Sequence, residues 1–339
     1  MIISIAVVAM NEEKYLPMLL DDFCQQDYPL NKIEILLIDS CSKDSTKEIM
    51  ENFRKKKGFY NIQIIDNLKK NQAAGWNLAI KHFKGEALIR IDAHSRILND
   101  FVSKNVENFL NGETVSGGLR SCISDNDSLF GRLLLETENS LFGASINKSR
   151  RSKRKMYVKT MFHAAYKREV FENAGFFNEK LLRSEDNEIH YRIRKKGYKL
   201  LFDPQIVSFQ YCRNSLRSML KQKFLNGYWV SLTLGVSPFC LSLYHFVPLG
   251  FVISLILCLF LTLTKLFIYP LVSLLAIYFV FCIISSFISF FRNKKNYLFL
   301  LMPFLFFLLH ISYGFGSLLG LFLIPFKAPK LKSKSEESI

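Results

Sequence analysis

The stretch IRIDAHS, residues 89–95, puts a carboxylate at Asp92 and an imidazole at His94, two residues apart, where an apolar run stops. Two chemistries fit. Asp after a strand caps the backbone N–H groups of the following turn. Alternatively the pair faces a ligand, because parallel sheets bind their ligands beyond the carboxyl ends of the strands. Other runs end alike: residues 2–9 lead into Asn11 and Glu12, and residues 33–38 into Asp39. Further on, Glu185 and Asp186 form an acidic pair ahead of a helical stretch, 187–196, rich in Arg and Lys. Acids at that end of a helix are favoured by its dipole whatever else they do.

These side chains need a scaffold, and the first hundred residues supply one. Runs at 2–9, 33–38, 62–65 and 87–91 are predominantly apolar. Between them lie a helix capped by Asn11 and opened by Glu12 and Glu13, a helix at 46–57, and a helix capped by Asn71 that runs to Phe83. Apolar strands separated by amphipathic helices imply an α/β fold with a parallel sheet covered on both faces. Residues 115–123 read as a strand in which Gly117 and Gly118 mark a bulge or a close backbone approach. Residues 128–142 read as a helix.

The 339-residue chain carries a formal charge of +16. Residues 1–240 hold 37 Lys and Arg against 27 Asp and Glu, whereas 243–263, 270–291 and 297–322 are almost purely apolar. Each of the three reaches the ~20 residues that cross a hydrocarbon layer ~30 Å thick, so about three transmembrane helices are expected. The N-terminus has neither the basic region nor the cleavage site of a signal peptide. Seven cysteines without a CxxC pair or metal-ligand spacing fit a reduced compartment, which puts the soluble part in the cytoplasm. A basic domain tethered to a membrane suits anionic lipids or phosphate-bearing ligands. Nucleic acid is set aside, since no zinc-finger, helix-turn-helix or RNP pattern occurs. The basic loop KSRRSKRK (148–155) is a candidate for meeting lipid phosphates. The stretch 214–229, apolar on one face and flanked by Arg213, Arg217, Lys221 and Lys223, reads either as a helix in the membrane interface or as one packed on the domain. The expected division is an α/β domain at 1–212, an interfacial helix and linker at 213–238, transmembrane helices at 239–325 and a polar tail at 326–339.

Taken in order, the segments AMNEE, LLIDSCSKDST, NQAAGWNLAI, IRIDAHS, FHAAYKREVFENAGFFNE and SEDNEIHYRIRKKGY resemble the inverting glycosyltransferases of family 2, which have the GT-A nucleotide-binding fold. IRIDAHS, NSLRSMLKQKFLNGYW and YHFVPLGF are most similar to its membrane-attached, succinoglycan-biosynthesis-type branch. The resemblance spans residues 2–235. It implies transfer of a hexose from a UDP-sugar, with inversion, to a lipid-linked saccharide in polysaccharide biosynthesis. It also implies a divalent cation, Mn²⁺ or Mg²⁺, held at the position of the family's Asp-x-Asp motif, here Asp92 and His94. Histidine in the last place is a departure that favours Mn²⁺ over Mg²⁺. By the same matching, Asp186 is the base that deprotonates the acceptor and Glu185 its neighbour, while Asp39 reads the uracil edge and Asn11 and Glu12 flank the base and ribose. Arg192 or Arg194 holds phosphate oxygens. Where many relatives have an Arg before Asn77, this chain has Trp76. His163 falls where the acceptor channel opens in relatives, or is a structural histidine.

Rival classes lack their marks. A nucleotidyltransferase calls for a Gly-rich loop with Arg after the first strand, and a dinucleotide-dependent oxidoreductase for GxGxxG; AMNEEKY is neither. A non-catalytic membrane scaffold or sugar-nucleotide-binding module that keeps the fold is the remaining alternative; against the scaffold stand Asp39, Asp92 and Asp186.

Overall fold

The structure is a computed structural model that describes residues 1–126, 128–140, 142–143, 152–263, 268–292 and 297–331. Half of the basic loop, 148–151, together with Lys294, Lys295 and the tail beyond Leu331, lies outside these. The chain divides into two units, one comprising Met1–Ser121 and Lys148–Tyr211, the other Cys122–Asn147 and Cys212–Leu331.

The first unit is built on a nine-stranded sheet. Strands β1 (Ile3–Ala9), β2 (Ile33–Asp39), β3 (Asn61–Asp66) and β4 (Ala87–Asp92) form its parallel half. Residues 3, 5, 7, 33, 35, 37, 89 and 91 face helices α1 (Leu16–Cys24), α2 (Thr46–Arg54) and α4 (Phe101–Leu110). The alternate residues Ala6, Leu36, Ile38 and Leu88 face α3 (Gln72–His82), α6 (Arg168–Ala174) and α7 (Glu185–Lys195). Both faces are therefore covered, which is why the strands read as mostly apolar runs. The remaining strands are β5 (Ser95–Ile97), β6 (Val115–Ile123), β7 (Met156–Val158), β8 (Ala165–Lys167) and β9 (Leu200–Tyr211), and the sheet order is β3-β2-β1-β4-β8-β6-β9-β5 with β7 on β9. β8 joins β4 antiparallel, so the sheet is mixed rather than wholly parallel. A Cβ at Gly118 of β6 would collide with the Ile206 carbonyl of β9, which accounts for the glycine in a strand.

Two helix starts differ from expectation. Asn11 does not cap α1: it sits in the left-handed region at φ 57°, and the helix opens at Leu16 with a proline in its first turn. Glu185 and Asp186 do not precede α7 but form its first turn, behind Ser184 at φ 65°.

The second unit is helical. Helix α5 (Leu129–Asn139), capped by Ser128, folds here rather than with the sheet, so the boundary at 212 misses it. Its Glu136 accepts from Ser289 Oγ at 2.9 Å, and its Glu138 pairs with Lys223 at 2.8 Å. The partners lie on α10 (Tyr269–Arg292) and α8 (Leu216–Leu234). Along with α9 (Val247–Leu263) and α11 (Met302–Leu331), the described residues of the unit include three helical segments long and apolar enough to cross a membrane: Leu243–Leu263, Tyr269–Arg292 and Tyr297–Leu331. Helix α8, expected at 214–229, packs along α11. Ser312 Oγ donates to the Leu220 carbonyl at 2.8 Å, and Gly316 and Gly320 let α11 approach the Phe224 and Tyr228 carbonyls. Small residues four apart are a common basis for close helix contacts in membranes.

A Cβ at Gly316 would strike backbone, which cannot move aside as a side chain can, whereas one at Gly250 would meet nothing within 4 Å. Gly316→Val should therefore destabilise the helical unit by at least the ~1–3 kcal/mol of core overpacking, and Gly250→Ala should not. Thermal unfolding of the detergent-solubilised protein checks this; equal midpoints would contradict the α8–α11 packing.

Candidate active site

Parallel register brings the strand ends together. Ala9 pairs with Asp39, Val8 with Asp92, and Asp39 with Asp66, so the loop of Asn11 and Glu12, Asp39 and Asp92 share one edge of the sheet. The Asn11 side chain accepts from Lys43 N at 2.8 Å, and its own N–H donates to Ser42 Oγ at 3.0 Å. Asp39, 2% exposed, accepts from Ser42 N at 3.2 Å. These bonds lace the β1 and β2 exits together, and the left-handed Asn11 and Cys41 (φ 58°) are backbone strain of the sort that collects at functional sites.

Asp92 is surrounded by donors. Gln72 Nε2 donates to Oδ1 at 3.1 Å and Gln210 Nε2 to Oδ2 at 2.9 Å, while His163 Nε2 lies 3.5 Å from Oδ2. Burial opposes charge on this carboxyl, but the hydrogen bond from His163 foremost, with Arg90 behind it, holds it well below the usual carboxylate range. Burial keeps the His163 imidazole below its ordinary value, so near pH 7 that contact is a hydrogen bond and not an ion pair. His163 also meets Ser95 and Ser208, which makes it a buried support for Asp92.

His94 is held from both sides. Nδ1 lies 3.0 Å from Glu12 Oε1 and Nε2 lies 3.0 Å from Gln210 Nε2. A carboxylate only accepts, so Nδ1 carries the proton and the Nε2 lone pair faces Gln210. Carboxylates commonly orient metal-ligating histidines in this way. Asp92 Oδ2 and His94 Nε2 thus converge on one point, each as an electron-pair donor, an oxygen–nitrogen set that suits Mn²⁺. Among the described residues no cluster of three or more His, Cys, Asp or Glu could hold a metal, so a cation here would have two such ligands and take the rest from its substrate or water.

The acidic pair reaches this edge through Arg90. On β4, Arg90 and Asp92 lie on the same face. Arg90, 4% exposed, donates from Nη1 to Asp186 Oδ1 at 2.6 Å and lies between the rings of Trp76 and Phe177, at 5.1 and 5.4 Å. Burial opposes its charge, but Asp186 and Asp92 hold it firmly protonated. Trp76 is 1% exposed, so it backs Arg90 and cannot touch a nucleotide. Glu185 is more buried than Asp186, and burial, with the charge of Asp186 beside it, pushes its carboxyl up to about 8.

Arg192 is not brought to this cluster. Its guanidinium donates to Glu188 and to the carbonyls of Ala174 and Phe176, tying α7 to the turn after α6. Sequence reasoning missed Arg90, Gln72 and Gln210. Arg90 had a signal, a lone cation in an apolar strand. The two glutamines had none, because only tertiary register puts Gln210 opposite Ser95.

Residues 4–175 match the family Glycosyl transferase family 2, and the chain belongs to that family. It is 29% identical over 323 residues, covering 92% of this chain and 95% of the relative, to the dolichyl N-acetyl-alpha-D-glucosaminyl phosphate 3-beta-D-2,3-diacetamido-2,3-dideoxy-beta-D-glucuronosyltransferase of Methanococcus voltae. It is 25% identical over 253 residues to the succinoglycan biosynthesis protein ExoA of Rhizobium meliloti (strain 1021), covering 69% of this chain and 75% of ExoA. Among solved structures, the fold matches the mannosyltransferase PcManGT of Pyrobaculum calidifontis in complex with GDP-Man and Mn2+, with a TM-score of 0.58 at 15% identity over 92% of this chain and 86% of that one. It also matches S. aureus TarS 1-349 in complex with UDP, with a TM-score of 0.50 at 18% identity; the match covers 68% of this chain and 65% of that one, less than two thirds of its length.

The raised Glu185 carboxyl has a consequence for stability. A carboxyl whose folded value lies above its ordinary 4.5 binds its proton more tightly folded than unfolded. Its contribution is fully present below about 4.5 and is lost as pH rises through about 8. Glu185→Gln, a permanent mimic of the protonated form, should raise the melting temperature at pH 8.5 and leave it nearly unchanged at pH 4.5. An equal shift at both pH values would contradict the assignment.

Proposed function

We propose that the protein transfers a hexose from a UDP-sugar, with inversion at the anomeric carbon, to a lipid-linked saccharide at the cytoplasmic face of a membrane. The observation that carries the reading is the convergence of Asp92 and His94 on one point at a sheet edge shared with Asn11 and Asp39. The Methanococcus voltae relative, matched over nearly its whole length, is named for a dolichyl-phosphate-linked acceptor, and a structural neighbour carries UDP; both support the donor and acceptor classes.

In this reading Asp39 and the Asn11–Glu12 loop receive the uridine, and Asp92 and His94 hold Mn²⁺. The cation, when bound, neutralises charge developing on the departing diphosphate. Asp186 accepts the proton of the acceptor hydroxyl through the carboxylate oxygen that Arg90 does not hold, and the hydroxyl oxygen attacks the anomeric carbon opposite the diphosphate. One carbon–oxygen bond forms, the bond to UDP breaks, and the proton stays on Asp186. Glu185 is too buried to reach an acceptor and acts by backing Asp186. The helical unit anchors the enzyme as a multi-pass membrane protein with the sheet unit inside the cell.

The test is UDP release from UDP-hexoses by the full-length protein with Mn²⁺ and a lipid extract as acceptor. Asp186→Asn should lower single-turnover transfer by ~10²–10⁴ with the UDP affinity of the folded protein nearly unchanged, and should also lower the melting temperature, because it leaves the buried Arg90 without its anion. Asp92→Asn should lose both transfer and Mn²⁺-dependent UDP binding. No UDP release from any UDP-hexose would overturn the reading in favour of a non-catalytic scaffold, and normal transfer by Asp186→Asn would remove the base assignment.

A further inference from the structure

Helix α7 meets the sheet at two polar points, one helical turn apart. The first is Asp186 on Arg90. The second is His190, whose Nε2 lies 2.7 Å from the Tyr166 hydroxyl. Residues four apart stand one above the other on a helix, so Asp186 and His190 share the face that α7 turns to the strands. Tyr166 of β8 pairs with Leu88 of β4, and side chains directly opposite in a sheet share a face. Leu88 and Arg90, two apart on β4, share it too. Tyr166 and Arg90 are therefore neighbours beneath α7.

Both groups of the second point are fully buried, among Leu88, Ile189 and Ile193. Burial pushes the His190 imidazole down to about 3, so it is neutral, with one ring nitrogen a donor and the other an acceptor. The buried phenol must place its hydrogen, and Nε2 is the acceptor beside it. Nδ1 then carries the ring proton and donates to Thr160 Oγ1 at 3.0 Å, in the loop between β7 and β8. The Phe171 ring braces Tyr166, with the centroids 5.0 Å apart. Apolar side chains could fill the same space, but apolar contact is non-directional. A hydrogen bond through Nε2 fixes how far the helix is turned about its axis.

The first turn of α7 needs such a constraint. No side chain caps it, and Ser184 ahead of it is left-handed. Arg192 ties α7 to the turn after α6 rather than to the sheet. Arg90 pins one oxygen of Asp186, and a helix held to the sheet by that bond alone can still roll about it. We propose that Tyr166 and His190 are positioning residues for the base: their hydrogen bond stops the roll and aims the second Asp186 oxygen at the acceptor hydroxyl. This rests on the reading of Asp186 as the base and involves neither the donor nor the cation.

The experiment is single-turnover transfer from UDP-hexose to a lipid extract, beside calorimetric UDP binding with Mn²⁺, in the full-length, detergent-solubilised protein. Tyr166→Phe removes one hydroxyl and keeps the ring. It should lower transfer roughly tenfold, since displacing a catalytic group by about 1 Å costs up to about 10²-fold, and leave UDP affinity unchanged. Added to Asp186→Asn it should cost nothing further, because a residue that acts through the base has no effect once the base is gone. His190→Gln puts an amide where Nε2 stands and should transfer close to the wild-type rate. His190→Leu, with no polar atom to offer, should fall as Tyr166→Phe does. Wild-type transfer by Tyr166→Phe, or an equal fold loss with and without Asp186→Asn, overturns the proposal and makes the pair structural. Loss of UDP affinity along with transfer in Tyr166→Phe does the same. Normal transfer by Asp186→Asn, or none by the wild type, overturns the base reading and this proposal together.

Discussion

A guanidinium inside a protein needs an anion beside it, because an unpaired buried charge costs several kcal/mol. Arg90 is such a group, and its anion is Asp186. That requirement ties the first turn of α7 to β4, two residues before Asp92, and so makes the two halves of the proposed chemistry parts of one assembly. The rings of Trp76 and Phe177 keep water from Arg90 and so strengthen its pull on Asp186. Trp76 thus serves the site from behind.

The same economy of charge governs the strand edge. Asp92 and His94 face one point, and their other contacts all fix orientation: Glu12 sets the His94 tautomer, while His163 and Gln72 fix the Asp92 carboxylate. An imidazole in place of a second carboxylate lowers the negative charge presented to a cation by one unit. It also adds a ligand whose direction a neighbouring carboxylate can set.

Much of this was legible in the sequence, for identifiable reasons. The four strands and the Asn71 cap were plain because burial leaves few polar residues in a strand, and an Asn before a helix accepts from its first turn, as Asn71 does from Ala74 at 2.7 Å. Asp39 and Asp92 followed from where those strands stop. The start of α1 was misread because Asn11 and Glu12 look like a cap and a first turn, while their backbone instead makes the turn that lines the site. Helix α5 was assigned to the wrong unit because Glu136 and Glu138 find their partners at Arg292, Ser289 and Lys223, some 85 to 156 residues away. Arg192 looked like a phosphate ligand because nothing local reveals that the Ala174 and Phe176 carbonyls claim it.

The central claim is that Asp92 and His94 form the cation and diphosphate end of a sugar-nucleotide site. Anomalous scattering from Mn²⁺ in crystals of the full-length protein grown with UDP addresses it directly. The account predicts a single strong peak within bonding distance of an Asp92 carboxylate oxygen and His94 Nε2, with the UDP phosphates on its open side. UDP bound at this sheet edge with no peak between those two residues, or a peak held by other side chains, would contradict it.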